Sequence, residues 1–284
     1  MEISVVVVAY NEAPYIKKCM LSILNQTFRD FELLIIDNSS YDKTLCIIKE
    51  MRDERIRYIK NNNAEGMAKS RNAGIAQAKG KYIFFTDADC APVKYWLEEG
   101  LRILKEKKCV GVEGKTLYAT ARTTISDRVF EDLEGRHGTC NIAYKKEILD
   151  KVKGFDPEFK LAFEDIELAY RILNYGEIIF SEDMIVVHQR KKYTIRKLFS
   201  DAKKIKNVVN FIKKYPNYRN NEIIRWRIIY PKKFLILLFP FSLILYHSLR
   251  SWRDVKLIPF VYFSAFYLRL IVWREAIKEK IFLI

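Results

Sequence analysis

Short apolar runs alternate along the first part of the chain with segments whose apolar side chains recur every three or four residues. The runs at 3–9, 31–37 and 82–85 are rich in β-branched, aromatic and other apolar side chains, a composition typical of strands buried on both faces. Between the first two runs, Ile16 and Met20 begin a pattern with helical spacing. This alternation predicts an α/β domain built on a parallel, doubly wound sheet.

The same patterns predict the remaining elements of this domain. In chain order we expect a helix from Pro92 to about Glu106, a strand at Cys109–Gly114, a small-residue strand at Gly138–Tyr144, a helix at Phe163–Tyr175 and a strand at Met184–Val187. Residues 117–136 are poorly patterned, and we expect helix and loop there. The domain is predicted to cover residues 1–192.

Polar and acidic residues follow the predicted strands where each strand ends. Tyr10–Glu12 follows the run at 3–9, Asp37 ends the run at 31–37, and Asp87 and Asp89 follow the run at 82–85. Ligands of open α/β sheets bind at this edge, and carboxylates suit Mg²⁺ or Mn²⁺, which could hold a diphosphate. The alternative is that Asp89 only caps a helix that begins near Pro92, and that Asp87 is a solvated turn residue.

Three nucleotide-binding classes are disfavoured by the residues after the first strand. A dinucleotide-binding domain would carry G-x-G-x-x-G there, whereas this chain has Tyr10-Asn11-Glu12, and it has no Walker A sequence. Sugar nucleotidyltransferases have a related sheet, but they begin with a Gly-rich basic loop that this segment does not supply.

The cysteines and the N-terminus both indicate a cytosolic setting. The five cysteines include no CxxC pair and no zinc-ligand spacing. Cys19, Cys46 and Cys109 fall in apolar stretches and are predicted to be small core residues of a reducing compartment. The chain runs from Met1 directly into a strand pattern, so we expect no signal peptide.

Further candidate residues lie on helices and at later strand ends. Arg71, on a predicted helix, could face phosphate oxygens, and Asp165, at a helix start, could serve as a general base. His188, at a strand end, could be a metal ligand. The alternatives are a turn hydrogen bond for Asp37, a surface position for Arg71, and simple compensation of the helix dipole for Glu164.

Four segments taken together resemble the inverting family 2 glycosyltransferases of the GT-A fold. In chain order they are SVVVVAYNE, LLIIDNSSYDKT, GMAKSRNAGIAQAKGKYIFFTDADC and GTCNIAYKKEILDKVKGFDPEFKLAFEDIELAYRI. The resemblance covers roughly residues 1–190. It implies a GT-A fold, that is, a doubly wound mixed sheet, and a hexosyltransferase activity.

The resemblance also implies which residues bind the donor. It assigns the nucleoside to the loop after the first strand, the base to the second strand end, and the ribose and diphosphate to an Arg-Asn pair and the acidic pair. The residues so assigned are Ala9, Tyr10, Asn11, Glu12, Asp37, Arg71, Asn72, Asp87 and Ala88. The implied donor is a nucleotide sugar, and we expect UDP rather than GDP.

The metal site and the acceptor side follow from the same resemblance. Asp89 and His188 are expected to hold Mn²⁺ or Mg²⁺, and Asp165 is expected to be the catalytic base. Glu164 and Asn141 are expected on the acceptor side. A lipid-linked or surface-glycan acceptor is expected.

One departure from the family pattern bears on processivity. Processive members carry Gln-x-x-Arg-Trp after the acidic motif, and the nearest match here is Glu222–Trp226, with Glu in place of Gln. We therefore expect a single sugar per encounter. A processive polysaccharide synthase is the alternative.

The excess of basic over acidic residues lies in the tail of the chain. Net charge is +15, and residues 190–284 hold 22 Lys/Arg against 5 Asp/Glu. Residues 193–233 are predicted to form basic amphipathic connector helices that lie either on the catalytic domain or on an anionic membrane surface. A non-enzymatic protein that binds membranes or nucleic acid is the alternative. We expect no nucleic-acid partner, because the tail is too apolar to bind along a phosphate backbone.

Residues 234–284 are predicted to form a hydrophobic hairpin. Its apolar runs, Phe234–Tyr246 and Leu257–Trp273, are each shorter than the roughly 20 residues that a spanning helix needs. If both runs spanned, the basic linker between them would lie outside, against the positive-inside tendency. We therefore expect a monotopic hairpin on the cytoplasmic face of the cell membrane. Two short spanning helices, or two helices packed on the domain, are alternatives.

Overall fold

The computed structural model describes residues 1–62, 66–118, 127–128, 135, 137–160, 162–189, 191–192, 194–216 and 252–278. The chain divides into two compact units. The first comprises residues 1–119 and 131–189, and the second comprises residues 120–130 and 190–284.

Strands and helices alternate through the first unit, as the sequence predicts, and the elements of both units are numbered here in chain order. The strands are β1 (Ile3–Ala9), β2 (Phe31–Asp37), β3 (Ile56–Lys60), β4 (Tyr82–Asp87), β5 (Cys90–Pro92), β6 (Gly111–Tyr118), β7 (Asp127–Arg128), β8 (Ile142–Lys145), β9 (Ile178–His188) and β10 (Lys191–Lys192). The helices are α1 (Ile16–Leu24), α2 (Thr44–Glu50), α3 (Met67–Gln77), α4 (Trp96–Glu106), α5 (Lys146–Lys151), α6 (Glu164–Ile172), α7 (Ile195–Ala202), α8 (Ile205–Lys214) and α9 (Trp252–Lys278).

Eight of these strands form one mixed sheet in the order β3-β2-β1-β4-β8-β6-β9-β5. The first four are parallel, β8 is antiparallel to both β4 and β6, and β6 and β9 are parallel. The short strand β5 pairs antiparallel with β9, so that Cys90 lies opposite His188. This confirms the expected doubly wound mixed sheet.

The sheet is buried on both faces because its strands are apolar at consecutive positions. In β1, Val5 and Val7 pack in the core with residues of α1 and α4, whereas Val6 and Val8 pack with residues of α3 and α6. Successive side chains of a strand point to opposite faces, so a run without polar alternation needs helices on both sides.

The structure corrects two expectations about the region after β4. The helix expected from Pro92 begins at Trp96, because residues 90–92 pair with β9 as a strand. Asp89 is therefore not the cap of a helix at Pro92, and that alternative is wrong. The strand expected from Gly138 begins at Ile142. Most of residues 117–136 lie outside the described ranges.

Cys46 is a further correction. The sequence predicts that it is a core residue, but the structure places it at an exposed position of α2, whereas Cys19 and Cys109 are buried as expected. In a helix that covers one face of a sheet, the positions that face the core recur every three or four residues, and the positions between them face solvent. Ile48, two residues later, is the buried residue of that turn.

The described part of the second unit contains the antiparallel strand pair β7–β10 and helices α7, α8 and α9. The amphipathic pattern of residues 195–212 forms two helices, α7 and α8, and α9 covers the second apolar run. The run Phe234–Tyr246 and the segment Glu222–Trp226 lie outside the described residues. Within the described ranges, no helix combines the length and apolar character needed to cross a bilayer.

One buried ion-pair cluster joins the two halves of the first unit. The Arg71 guanidinium on α3 donates to Glu164 Oε1 at 2.7 Å and to Asp87 Oδ1 at 3.3 Å. It also lies over the Phe155 ring, 5.6 Å from the centroid. Burial would lower the pKa of Arg71, but the carboxylates of Glu164, Asp87 and Asp165 raise it. The guanidinium is therefore a fixed positive charge inside the protein.

Removing this charge should destabilise the first unit strongly. In Arg71→Met the buried Glu164 carboxylate loses its charged partner, and breaking a buried pair in this way costs about 3–5 kcal/mol. Urea denaturation measures the change in the free energy of unfolding.

Arg102→Met is the matched control, because Arg102 pairs with Glu99 and Glu106 on the surface of α4. We expect little change there. Equal losses in the two variants would contradict a special role for the buried cluster.

Candidate active site

The acidic pair lies where β4 ends, and its two members have different surroundings. Asp87 is half-buried and accepts the hydrogen bond from Arg71. Asp89 is buried, and its Oδ1 lies 3.7 Å from Nε2 of His188. The first carboxylate therefore faces a guanidinium and the second an imidazole, which suits them to different tasks.

Asp89, Cys90 and His188 form a cluster that could hold a metal ion. Their ligand atoms all lie within 4.8 Å of one another. His188 Nδ1 lies 2.8 Å from the carbonyl oxygen of Gln189. A carbonyl oxygen only accepts hydrogen bonds, so Nδ1 is the donor in this contact, and Nε2 is the ring nitrogen that faces Asp89. The donor set therefore fits a divalent cation.

Tertiary structure brings this cluster together as the sequence predicts for Asp89 and His188. The β5–β9 pairing places Cys90 opposite His188, and Gln189 N donates to Asp89 O at 2.8 Å. That Asp89 and His188 bind the metal stays a prediction. Sequence reasoning missed Cys90, although its position directly after Asp89 was a signal that could have suggested it.

Asp37, predicted to bind the base, is buried at the end of β2. Its Oδ1 accepts from Ser40 N at 3.1 Å, and its Oδ2 accepts from the Tyr58 hydroxyl at 3.0 Å. Burial and the hydrogen bond to Asp37 raise the pKa of Tyr58 to about 12. The turn hydrogen bond considered as an alternative role is thus present, and sequence reasoning missed Tyr58. Binding of the base by Asp37 stays a prediction.

The loop after β1 is fastened to the loop after β2. Asn11 adopts a positive φ of 55°, its N donates to Ser40 Oγ at 3.0 Å, and its Oδ1 accepts from Tyr41 N at 3.0 Å. Glu12 N donates to Thr44 Oγ1 at 2.8 Å. The rings of Tyr10 and Tyr41 meet edge to face, and both are exposed. Ala9, which precedes this loop, and Ala88 are both buried.

Asn72, which is predicted to bind the donor sugar nucleotide, forms hydrogen bonds through its side-chain amide to the backbone of Phe155. Its Nδ2 donates to Phe155 O and its Oδ1 accepts from Phe155 N, both at 2.7 Å. Gly154 precedes this contact with a positive φ of 66°, and a Cβ there would lie 2.4 Å from Asn72 Oδ1. The geometry supports a positioning role, and a direct donor contact of Asn72 stays a prediction.

Asn141, predicted on the acceptor side, is similarly engaged. Its Nδ2 donates to the carbonyls of Lys115 and Met184 at 2.9 and 2.8 Å, and its Oδ1 accepts from Trp96 Nε1 at 2.8 Å. The side chain joins β6, β9 and α4 in the core. Its role toward an acceptor stays a prediction.

The two acidic residues that begin α6 also differ in burial and in their neighbours. Glu164 is buried against Arg71, and burial together with the Asp165 charge raises the pKa of Glu164. Asp165 is half-buried, and its Oδ1 accepts from Ile166 N at 2.9 Å. Phe163, just before them, has a positive φ of 72°. A partly exposed carboxylate that accepts a hydrogen bond from the backbone at the start of its helix is suited to act as a proton acceptor.

Comparison with known proteins identifies relatives that match 61% and 67% of the chain. A glucosyltransferase of Escherichia coli, named UDP-Glc:alpha-D-GlcNAc-diphosphoundecaprenol beta-1,3-glucosyltransferase WfaP, is 32% identical over 179 residues, which are 61% of this chain and 71% of that protein. Glycosyltransferase AglE of Haloferax volcanii is 26% identical, over 67% of this chain and 68% of that protein.

Solved structures show the same fold. Staphylococcus aureus TarS residues 1–349, solved with UDP-GlcNAc, match with a TM-score of 0.59 and 17% identity, over 100% of this chain and 93% of that chain. The chain spans 54% of the longer TarS structure. Mannosyltransferase PcManGT of Pyrobaculum calidifontis, solved with GDP-Man and Mn²⁺, matches with a TM-score of 0.62 and 18% identity, over 95% of this chain and 87% of that chain. These likenesses confirm the GT-A fold.

The family model described as glycosyl transferase family 2 matches residues 4–161. That range includes β1 to β4, the acidic pair and Arg71, and it ends just before Glu164. The protein is therefore an enzyme that belongs to glycosyl transferase family 2.

Proposed function

We propose that this enzyme is a metal-dependent, inverting glycosyltransferase that moves one hexose from a nucleotide sugar to a lipid-linked or surface-glycan acceptor. The observation that carries the proposal is the Arg71 cluster. One guanidinium binds Asp87 of the acidic pair and Glu164, the neighbour of Asp165. The guanidinium therefore links Asp87, a carboxylate assigned to the donor, to helix α6, which carries the proposed base Asp165.

The proposed reaction is a single displacement. The acceptor hydroxyl oxygen forms a bond to the anomeric carbon while the bond from that carbon to the diphosphate oxygen breaks. Asp165 receives the hydroxyl proton, and the nucleoside diphosphate leaves. One base is sufficient, because no enzyme-bound sugar is formed in an inverting reaction.

Asp89 and His188 would hold Mn²⁺ or Mg²⁺ beside this reaction. When bound, the cation supplies Lewis-acid stabilisation of the charge on the diphosphate. Asp87 would lie near the donor's ribose, where Arg71 keeps it in place. The loops after β1 and β2, which are joined by hydrogen bonds, would form together with Asp37 the part of the donor site that binds the nucleoside.

Known relatives support a UDP-sugar donor and a lipid-linked acceptor. The E. coli relative is named for UDP-Glc and for an acceptor that ends in diphosphoundecaprenol. TarS has been solved with UDP and with UDP-GlcNAc, and PcManGT with GDP-Man. We propose UDP rather than GDP.

A helix of the second unit supports membrane association. On α9 the residues Phe263, Phe266, Leu270, Trp273 and Ile277 are exposed, and their spacing of three and four places them on one face. Arg274 and Lys278 at the end of the helix are also exposed. A helix with an apolar aromatic face and basic residues is suited to the interface of an anionic membrane. We propose a monotopic attachment to the cytoplasmic face.

Asp165→Asn tests the assignment of the base. The variant should bind a UDP-sugar normally but lose transfer by at least about 10²-fold, because the amide cannot accept the proton. Calorimetry measures donor binding, and release of UDP with acceptor present measures transfer. Asp183→Asn, at an exposed position of β9, should leave both unchanged. Near-normal transfer in Asp165→Asn would show that another group is the base.

Chelation tests the metal. EDTA should abolish transfer, and added Mn²⁺ or Mg²⁺ should restore it in the unaltered protein. Restoration should fail in Asp89→Asn, which removes a proposed ligand. Transfer that is indifferent to EDTA would contradict the metal role of Asp89.

Carbonate washing tests the membrane attachment. The full chain should stay with the membrane pellet, because apolar side chains embedded in lipid are not released with electrostatic binders. The triple variant Phe263→Ser, Phe266→Ser, Trp273→Ser should move to the supernatant. Leu21→Ser, at an exposed apolar position of the first unit, is the control and should stay in the pellet. Retention of the triple variant would exclude this face of α9 as the attachment site.

A further inference from the structure

A sulfur atom forms part of the cluster assigned to the metal. Cys90 is the first residue of β5, only 1% of it is exposed, and its Sγ lies 3.9 Å from Asp89 Oδ1. The strand pairing holds it opposite His188. Asp89 directly precedes β5 and His188 is the last residue of β9, so the backbone pairing of β5 with β9 holds the three residues together.

Sulfur is not a donor that the proposed reaction needs. Mg²⁺ and Mn²⁺ prefer carboxylate, carbonyl and water oxygens, whereas thiolates select Zn²⁺ and other thiophilic ions. A carboxylate, a thiolate and an imidazole together are a typical donor set for Zn²⁺. The cysteines show no zinc-ligand spacing along the sequence, and the cluster forms only because β5 lies beside β9.

The distances between the donor atoms agree with a tetrahedral site better than with an octahedral one. Adjacent ligands about 2.1 Å from an octahedral ion are about 3.0 Å apart. Oxygen, nitrogen and sulfur ligands of tetrahedral Zn²⁺ are about 3.4–3.6 Å apart. Oδ1 of Asp89 lies 3.7 Å from His188 Nε2 and 3.9 Å from Cys90 Sγ. The Cys90 and His188 ligand atoms lie within 4.8 Å of each other, so the three atoms would move closer together to bind one zinc ion.

We propose that Asp89, Cys90 and His188 form a binding site for Zn²⁺, with the Cys90 sulfur as a direct ligand. The thiol proton passes to solvent as the sulfur–zinc bond forms, and the fourth position is left for water or for a phosphate oxygen of the donor. The inference rests on the metal position of the proposed function. It adds that Zn²⁺ competes there with Mn²⁺ or Mg²⁺ and thereby inhibits transfer.

Cobalt spectroscopy tests the sulfur ligand without measuring transfer. Co²⁺ added to the metal-free full chain should produce the near-ultraviolet charge-transfer band of a cobalt–thiolate bond, and Zn²⁺ should abolish it by displacement. The band should be absent from Cys90→Ser, and the affinity of that variant for Zn²⁺ should be lower by at least about tenfold. Cys46→Ser, an exposed position on α2, is the matched control and should keep the band.

Two outcomes would overturn the proposal: no thiolate band in the unaltered protein, or a band that persists in Cys90→Ser. If Cys90→Ser does not fold, X-ray absorption of the zinc-loaded unaltered protein decides. It should show one sulfur about 2.3 Å from zinc, and a shell of oxygen and nitrogen alone would contradict the site. A protein that forms the sulfur–zinc bond but binds no nucleotide sugar would contradict the proposed function and leave the zinc site standing.

Discussion

The Arg71 guanidinium, buried between Asp87 and Glu164, is the interaction on which the site depends. Asp87 ends the parallel strand β4, and Glu164 begins the helix α6, which is far along the chain. A buried guanidinium without carboxylates would be costly, and each carboxylate would be costly without it. Each partner therefore holds the others in place, and Asp165, next to Glu164, is held with them.

The antiparallel strands beside this cluster provide the second constraint. Because β5 turns back along β9, the residues after β4 do not continue into a helix, and Asp89 meets His188. The side-chain amide of Asn141 supports the same region, because it forms hydrogen bonds with residues of β6, β9 and α4. As a result, strand β5 and its partner β9 border the end of β4, and Asp87 and Asp89 have different neighbours although they are only two residues apart.

Much of the fold could be predicted from the sequence, since consecutive apolar residues require a sheet covered on both faces. The limits of β1 and β2 agree with the apolar runs. Predictions were less accurate where tertiary pairing overrides local pattern. The strand β5 contains Pro92 and is three residues long, so no periodicity indicates it. Cys46 was placed in the core because apolar neighbours surround it in sequence, whereas the helix face decides its exposure.

The sequence by itself determined the order of strands and helices, the acidic pair at a strand end and the family, because these depend on local patterns and on spacing along the chain. Only the tertiary structure decided which polar groups meet. Arg71 reaches a carboxylate 93 residues away, and Asn72 and Asn141 bind backbone in the core. Cys90 joins Asp89 and His188 only through strand pairing. Such contacts depend on how distant segments pack, which no local pattern of side chains encodes.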